Sequence, residues 1–536
     1  MSLWLRLLRR QRKNNSSAQL PKHVHKALPA NLTSDSEASP SSSVEQRDDR
    51  VPWMKQQLEN CSDIVFRQFK IKTGDRCTLV YLRSTADQTT IQEVILRSLL
   101  DYSGSEDSDL IRYLFDDQAI SVSEIKIVTE TNEAITTVLS FGVVLMIEGE
   151  PRIMTFPSVS ALTTRAIEEA PNESVIRGPR ESFNESLDTN LSLLRRRLKS
   201  KNFKMEEHSL GTQTKTRFVI AYVEGICKPE LIKELKRRLS YLDIDAVLGS
   251  STFEETIEDS PYSPFPQVEY TERPDIVSAS LLEGRIAIIV DGTPSAILAP
   301  VTLTMLMQTS EDYFQRYIAA TWIRWIRFLF LFVSLLLPSL YIAITTFHPE
   351  MIPFKLLMTV AAAREIVPFP AFVEAFIMEL SFEALREASI RIPKSIGQAV
   401  SIIGALIIGT AAVQAGIVSA AMVIIVSLTG IASFIIPHFD LGLTIRLLRF
   451  PIMALASMLG LFGITCGLII IYIHLLNLKS FGLPYLYPLT PLAKADLNDT
   501  LYRAPWWAMQ QRPVALTHNE QRQKKNPRGW EKQKEE

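Results

Sequence analysis

The stretch FLFLFVSLLLPSLYIAITTFHP, residues 328–349, decides the architecture of this chain. It runs for 22 residues without Asp, Glu, Lys or Arg. A helix of that length measures about 33 Å, enough to cross a hydrocarbon core of roughly 30 Å. Arg324 and Arg327 come just before it, and basic residues beside a first span favour a cytoplasmic flank. The stretch predicts a first membrane-spanning helix whose preceding residues face the cytoplasm.

Charge is distributed unevenly along the 536 residues. Residues 328–478 contain only 14 charged side chains, whereas 21% of the whole chain is charged. We therefore expect an α-helical polytopic membrane domain over residues 320–493, followed by a basic tail over residues 494–536. Its spans are predicted at about 328–349, 395–414, 418–439 and 450–478, with 366–382 undecided.

The segment 366–382 is apolar but carries Glu374 and Glu379. An ionisable side chain at membrane depth is costly, so it should face a cavity, a partner or the interface. One interpretation is an amphipathic helix at the membrane surface, and the other is a half-buried helix that lines a polar vestibule. The choice sets the number of crossings, and the sequence leaves the side of the C-terminal tail open.

Small residues recur every four positions in the predicted span 395–414. They are Gly397, Ser401, Ala405 and Gly409. In lipid, such a face lets helix backbones approach closely. The pattern is compatible with ordinary packing inside one bundle, and equally with a subunit interface or the wall of an oligomeric pore. A similar pattern, Ala456 with Gly460 and Gly463 with Gly467, occurs in the last predicted span.

The sequence of the N-terminal half predicts two mixed α/β subdomains, at residues 51–165 and 176–310. Runs rich in β-branched and aromatic residues, such as CTLVYLR and RFVIAYVEGI, predict strands. Glu148 to Pro151 is predicted to turn a hairpin. The dipeptide Asp291-Gly292 between two apolar runs also predicts a hairpin turn, which is favoured over a catalytic role for Asp291. The run Arg195-Arg196-Arg197 is predicted to be a solvated helix face.

Composition excludes several classes of protein. The net charge of −1 argues against a nucleic-acid binder, and 47% apolar residues argue against a disordered chain. Four scattered cysteines form no disulfide framework or zinc pattern. Residues 1–50 predict a basic extension and flexible linker. No phosphate-binding loop, paired histidines or nucleophile elbow occurs, so we expect no enzyme, cofactor or metal.

Long stretches of the chain resemble one protein family. They include IRGPRESFNESLDTNLSLLRRRL (176–198), PFPQVEYTERPDIVSASLLEGRIAIIVDGTP (264–294), IRLLRFPIM (445–453) and RAPWWAM (503–509). The membrane region adds a stretch of 46 residues, from 364 to 409. By their length and order these stretches identify the chain as similar to the A subunits of GerA-type spore germinant receptors. A sister group of sporulation membrane proteins shares this architecture.

The resemblance implies a function and its partners. It implies a multi-pass subunit in the inner membrane of the endospore, whose N-terminal domain faces the cytoplasm or spore core. Its partners would be a transporter-like B subunit that binds nutrient and a lipoprotein C subunit. Several A subunits would form a ring around a nutrient-gated pathway for monovalent cations, with membrane lipid around it and no nucleic acid.

Three alternatives stay open on sequence grounds. The first is a non-conducting scaffold or signalling subunit of the same receptor. The second is a secondary transporter, although no membrane segment recurs as the internal repeat of such folds requires. The third is a membrane-anchored enzyme, which the missing motifs disfavour.

Overall fold

The architecture comprises two α/β subdomains and a helical region. The computed structural model describes residues 49–72, 74–102, 110–159, 170, 172–173, 175–391, 409–493, 496–518 and 521–522. The predicted extension before residue 49 and the tail beyond residue 522 lie outside these residues. The mixed α/β half followed by a helical half is the fold class that the sequence predicts.

The first subdomain is a five-stranded antiparallel sheet in the order β1-β2-β4-β5-β3. Apolar residues occupy both faces of its central strands, and clusters of buried side chains cover each face. The hairpin of β4 and β5 turns at the predicted position, with Gly149 at φ 86°. Its main elements are α1 (Arg50–Gln57), β1 (Ile64–Lys70), β2 (Arg76–Leu82), β3 (Lys126–Val128), α2 (Thr131–Leu139), β4 (Val143–Ile147) and β5 (Ile153–Phe156). Shorter helical segments between β2 and β3 cover Gln88–Thr90, Ile91–Leu96, Arg97–Leu100 and Arg112–Asp116.

The second subdomain repeats this design with the order β6-β7-β9-β10-β8. The Asp291-Gly292 dipeptide turns the β9–β10 hairpin as predicted, with Gly292 at φ 81°. A left-handed backbone favours glycine because it has no Cβ. Its elements are α3 (Leu187–Arg197), β6 (Phe203–Leu210), β7 (Thr216–Val223), α4 (Pro229–Ser240), α5 (Ser251–Ile257), β8 (Glu269–Thr271), α6 (Pro274–Leu282), β9 (Ile286–Val290) and β10 (Ala296–Ala299).

The two sheets are related as an internal repeat. Their strand orders coincide when β6 to β10 are matched with β1 to β5 in turn. A helix followed by a hairpin occurs in both subdomains, with the same number of residues between the start of the helix and the start of the hairpin. The helices begin at Thr131 and Pro274, and the hairpins begin at Val143 and Ile286. The repeat is not evident from the sequence, because the two copies share the positions of turns and apolar residues but few identical residues.

Within the described residues, the helical region has six helices of twelve or more residues. Two of them, α7 and α11, are long and apolar enough to cross a bilayer, judged by length and composition within the described residues. Helices α10 and α12 are apolar but shorter. The helices are α7 (Tyr317–Phe347), α8 (Phe354–Glu365), α9 (Ala371–Arg391), α10 (Ala420–Phe434), α11 (Phe439–Leu459) and α12 (Leu461–Asn477).

One end of this region, here called the near end, packs against the second subdomain. Thr444 of α11 donates a hydrogen bond to the Pro264 carbonyl, and His474 of α12 lies 2.8 Å from the Ser263 hydroxyl. At the opposite, far end, Gly460 lies against Phe347. Helices α7 and α11 therefore run from the near end to the far end, and α12 returns.

The helix boundaries differ from the predicted spans. The stretch 450–478, predicted as one span, is part of two helices that meet at Gly460, whose φ of 60° ends α11. Arg446 and Arg449, which fall between the predicted spans 418–439 and 450–478, lie inside α11 and are buried. They can be helical at this depth because acidic side chains of α9 neutralise them, a contact that hydropathy does not report.

The C-terminal segment, residues 496–522, packs on the second subdomain. The Lys228 ammonium donates to the Ala515 carbonyl at 2.6 Å, and Arg522 pairs with Glu283 at 2.6 Å. This segment follows α12 and the small hairpin of β11 (Lys479–Ser480) and β12 (Leu483–Pro484). The described part of the tail is thus a bound strap across the second subdomain.

Candidate functional site: buried charges of the helical region

The first site is an ion pair deep in the helical region. Arg449 of α11 donates through Nη1 to Glu379 of α9, and through Nε to the Ser334 carbonyl of α7 at 2.8 Å. Its Nη2 donates to the Ser334 hydroxyl at 3.0 Å. Glu379 and Arg449 are each 2% exposed. Because Ser334 lies near the middle of α7, the pair lies midway along that helix and joins three helices.

Glu374 lies closer to the far end. Its Oε1 accepts a hydrogen bond from the Ser419 backbone N–H at 2.5 Å and another from the Ser419 hydroxyl. Ser419 caps α10, and its hydroxyl in turn accepts from Met422 N at 3.2 Å. The carboxylate therefore faces the positive end of a helix, which stabilises a negative charge. Among the described residues, no salt bridge to Glu374 occurs.

A third group of charges lies toward the near end. Arg386 and Glu383 pair along α9 at 3.2 Å, and the Arg386 guanidinium donates to the Ser433 hydroxyl of α10 at 3.0 Å. Arg446 of α11 lies 3.7 Å from the other Glu383 oxygen. Together with Glu374 and Glu379, these side chains place charge at three depths along α9.

Both predicted acidic residues therefore face the interior of the chain's own helices. Glu374 is 0% exposed, and Glu379 has an arginine partner. Neither lies on the outer surface of an amphipathic helix, because α9 packs against α7, α10 and α11. The sequence analysis identified the carboxylates and missed their partners. The charged residues Arg446 and Arg449 beside an uncharged stretch were the available signal.

The small-residue face is described only in part. Gly397, Ser401 and Ala405 lie outside the described residues. At Gly409 a Cβ would lie 3.7 Å from the Val423 side chain of α10, so this glycine faces a neighbouring helix. In the second pattern a Cβ at Gly463 would lie 2.1 Å from the Leu455 carbonyl oxygen. That pattern therefore lets α11 and α12 pack closely within one chain.

A further group, here called the base cluster, lies where α7 begins. Arg324, 0% exposed, pairs with Asp312 at 3.0 Å and with Asp499 of the strap at 3.1 Å. Arg327 also pairs with Asp312. The Tyr313 hydroxyl donates to Asp499 at 2.7 Å. Burial raises the pKa of Asp499 to about 6, against the opposing effect of Arg324. The cluster joins the strap to the first helix.

The soluble half supports structural roles for its distinctive charges. Asp291 accepts a hydrogen bond from Leu187 N at 3.1 Å and so caps α3. Arg195, predicted to be solvated, is 1% exposed and pairs with Asp63 of the first subdomain at 2.9 Å. The prediction of a solvated face was wrong for Arg195, because α3 packs this residue against the first subdomain, whereas Arg196 is exposed. Within the described residues, no three His, Cys, Asp or Glu side chains are grouped to hold a metal ion.

Comparison with known proteins places the chain in a family. Residues 52–515 match the family described as Bacillus/Clostridium GerA spore germination protein. The uncharacterized membrane protein YfkQ of Bacillus subtilis (strain 168) is 48% identical over 479 residues, which cover 88% of this chain and 93% of the relative. Spore germination protein KA of the same strain is 41% identical over 477 residues, with coverage of 88% and 87%.

A solved structure is also similar. The N-terminal domain of the A subunit of the Bacillus megaterium spore germinant receptor GerK3 is 30% identical, with a TM-score of 0.37. The similarity covers 47% of this chain and 92% of that domain. The match of residues 52–515 and the long alignments with the relatives confirm the resemblance drawn from the sequence. The chain belongs to the GerA family of spore germination proteins, the A subunits of germinant receptors.

Proposed function

We propose that this chain is the A subunit of a nutrient germinant receptor in the inner membrane of the endospore. Several copies assemble into a ring and open a pathway for monovalent cations when nutrient binds. The transporter-like B subunit binds the nutrient, and the lipoprotein C subunit completes the receptor. Family membership and two helices long enough to cross a bilayer support membrane association.

The observation that carries the proposal is charge at three depths inside apolar helices. Burying charge is costly even when it is paired, and paired charges contribute little net stability compared with apolar residues. Membrane proteins keep such groups mainly where ions pass or where helices exchange partners. The Glu379–Arg449 pair joins α7, α9 and α11, so a change in its geometry moves three helices together.

The positions of the helix ends support a proposal for the membrane topology. The near end packs against the second subdomain, which we place in the cytoplasm or spore core because Arg324 and Arg327 precede the first span. Helix α9 begins beside Ser419 at the start of α10 and ends beside Ser433 near its end, so these two helices run in the same direction. The predicted span 395–414, most of which lies outside the described residues, is our proposal for the crossing between these two helices.

Conductance tests the proposal. The purified receptor, with all three subunits, is placed in a planar bilayer, and single-channel steps are recorded on adding nutrient. The variants Gly409→Leu and Glu379→Gln are compared with Glu387→Gln, which changes an exposed carboxylate of the same helix. We expect the first two to alter unitary current or opening and the third to leave both unchanged.

The second candidate function is a non-conducting scaffold of the same receptor. It is favoured by the pairing of Glu379 and Arg449 inside a single chain, since charges that neutralise each other need no ion as a partner. A receptor that binds nutrient but gives no unitary current would support the scaffold. Equal currents from the wild type and both altered variants would place the pathway outside this chain.

A further inference from the structure

The outer face of α7 is apolar well before the uncharged stretch begins. Ile318, Trp322 and Trp325 are 68%, 63% and 53% exposed, and Leu329 continues the same face at 59%. Spacings of three and four residues place them on one side of the helix. The charged residues of the same turns, such as Arg324, point to the opposite side and are buried in the base cluster.

Large exposed apolar side chains in a row mark a contact surface. Two partners fit such a row on a membrane helix, namely lipid and another protein chain. Tryptophan is enriched where a bilayer meets water, since its ring is apolar and its N–H reaches polar groups. Two tryptophans, three and six residues before the uncharged stretch, therefore favour lipid.

The length of α7 agrees with lipid as the partner. The helix has 31 residues and measures about 46 Å, whereas the hydrocarbon core measures roughly 30 Å, so α7 extends beyond that core. The uncharged stretch from Phe328 accounts for the hydrocarbon core. The eleven residues of α7 before it measure about 16 Å, and Trp325 and Trp322 then lie roughly 5–10 Å outside the hydrocarbon, at the level of the headgroups.

A second aromatic residue at the near end supports this position. Tyr262 of the second subdomain is 99% exposed. The next residue, Ser263, contacts His474 at the near end of α12. Tyr262 therefore projects from the soluble half at the level where α12 leaves the membrane, on an element separate from α7.

We propose that Trp322 and Trp325 form a lipid-binding face that anchors the start of α7 in the headgroup layer, with Ile318 continuing the same face toward the soluble half. The base cluster then lies at headgroup depth behind this face, shielded from water by the strap. The second subdomain rests on the bilayer surface. This inference depends on membrane association and is independent of ion conduction.

Fluorescence quenching by brominated lipid tests the proposal. The full chain is reconstituted into phosphatidylcholine vesicles whose acyl chains carry bromine near the glycerol, near the chain end, or nowhere. Single-tryptophan chains keep Trp322, Trp325 or Trp53, with the other tryptophans replaced by Phe. Trp53, which packs on the core of the first subdomain, is the matched control.

We expect shallow bromine to quench Trp322 and Trp325 more strongly than deep bromine, and Trp53 to be unaffected. The unmodified chain should also lose emission in shallow-brominated vesicles, a result that does not require the variants to fold. If Trp322 and Trp325 are quenched no more than Trp53, a second copy or a partner protein covers the face, and the proposal is overturned. Quenching by deep bromine alone would place the face in the hydrocarbon core and would also overturn it.

Discussion

Arg324 at the start of the first span and Asp499 in the C-terminal strap form an ion pair, with 3.1 Å between Nη1 and Oδ1. The two residues are 175 positions apart in the chain. The strap therefore returns, after the last helix, to the point where the chain enters the membrane. Since the strap also packs on the second subdomain, both ends of the described chain lie on one side of the helices.

We predict that the C-terminal tail lies on the same side of the membrane as the N-terminal domain. Epitope tags before Met1 and after Glu536 should become accessible to protease together, in inverted vesicles. A tag inserted at Glu350, an exposed residue beyond the far end of α7, should be cleaved only in right-side-out preparations. Opposite behaviour of the two terminal tags would mean an odd number of crossings and would contradict the strap contacts.

We predict a pH-dependent contribution of Asp499 to stability. Burial raises the pKa of this carboxyl to about 6, whereas the pKa of an aspartate in an unfolded chain is about 4. Between these values the folded chain holds a proton that the unfolded chain has lost. The contribution of Asp499 to the free energy of unfolding therefore falls as pH rises from about 4 to about 6 and is constant above that.

The measurement is the melting temperature of the detergent-solubilised chain against pH, for wild type and Asp499→Asn. The difference, wild type minus variant, should decrease between about pH 4 and pH 6 and then level off. A difference that does not change with pH in this window would mean that Asp499 titrates normally.

We predict that Glu379→Gln destabilises the helical region. The substitution leaves the Arg449 charge buried without its partner, which typically costs about 3–5 kcal/mol. Glu387→Gln, on an exposed pair of the same helix, should cost less than about 1 kcal/mol. Thermal unfolding in detergent compares the two. The double variant Glu379→Gln with Arg449→Gln should recover part of the lost stability, since neither charge of this pair is then left buried. If the double variant recovers no stability, the loss comes from packing.

We predict a similar loss of stability when the ion pair between the two soluble subdomains is broken. Asp63→Asn leaves Arg195 buried, at a typical cost of about 3–5 kcal/mol. Glu148→Gln removes an exposed pair with Arg76 and should change stability by less than about 1 kcal/mol. Equal melting temperatures for the two variants would show that the Asp63–Arg195 pair contributes no more than a surface contact.

Local patterns were sufficient for much of the fold. The Asp291-Gly292 turn, the strands around it and the first membrane helix follow from residues that are adjacent in sequence, since turn preference and hydropathy are local properties. Such local patterns do not identify the partners of the charged residues. Arg449 and Glu379 are 70 positions apart, and nothing in either neighbourhood specifies the other.

The sequence by itself determined the division into an α/β half and an apolar helical half, the family, and the presence of carboxylates within the apolar half. Only the tertiary structure decided that these carboxylates face the chain's own helices, that Arg195 joins two subdomains and that the strap returns to Arg324. The two sheets also reveal their common strand order only when their pairing is known. Burial and pairing depend on contacts between residues far apart in the chain, and such contacts exist only once the helices and sheets have packed.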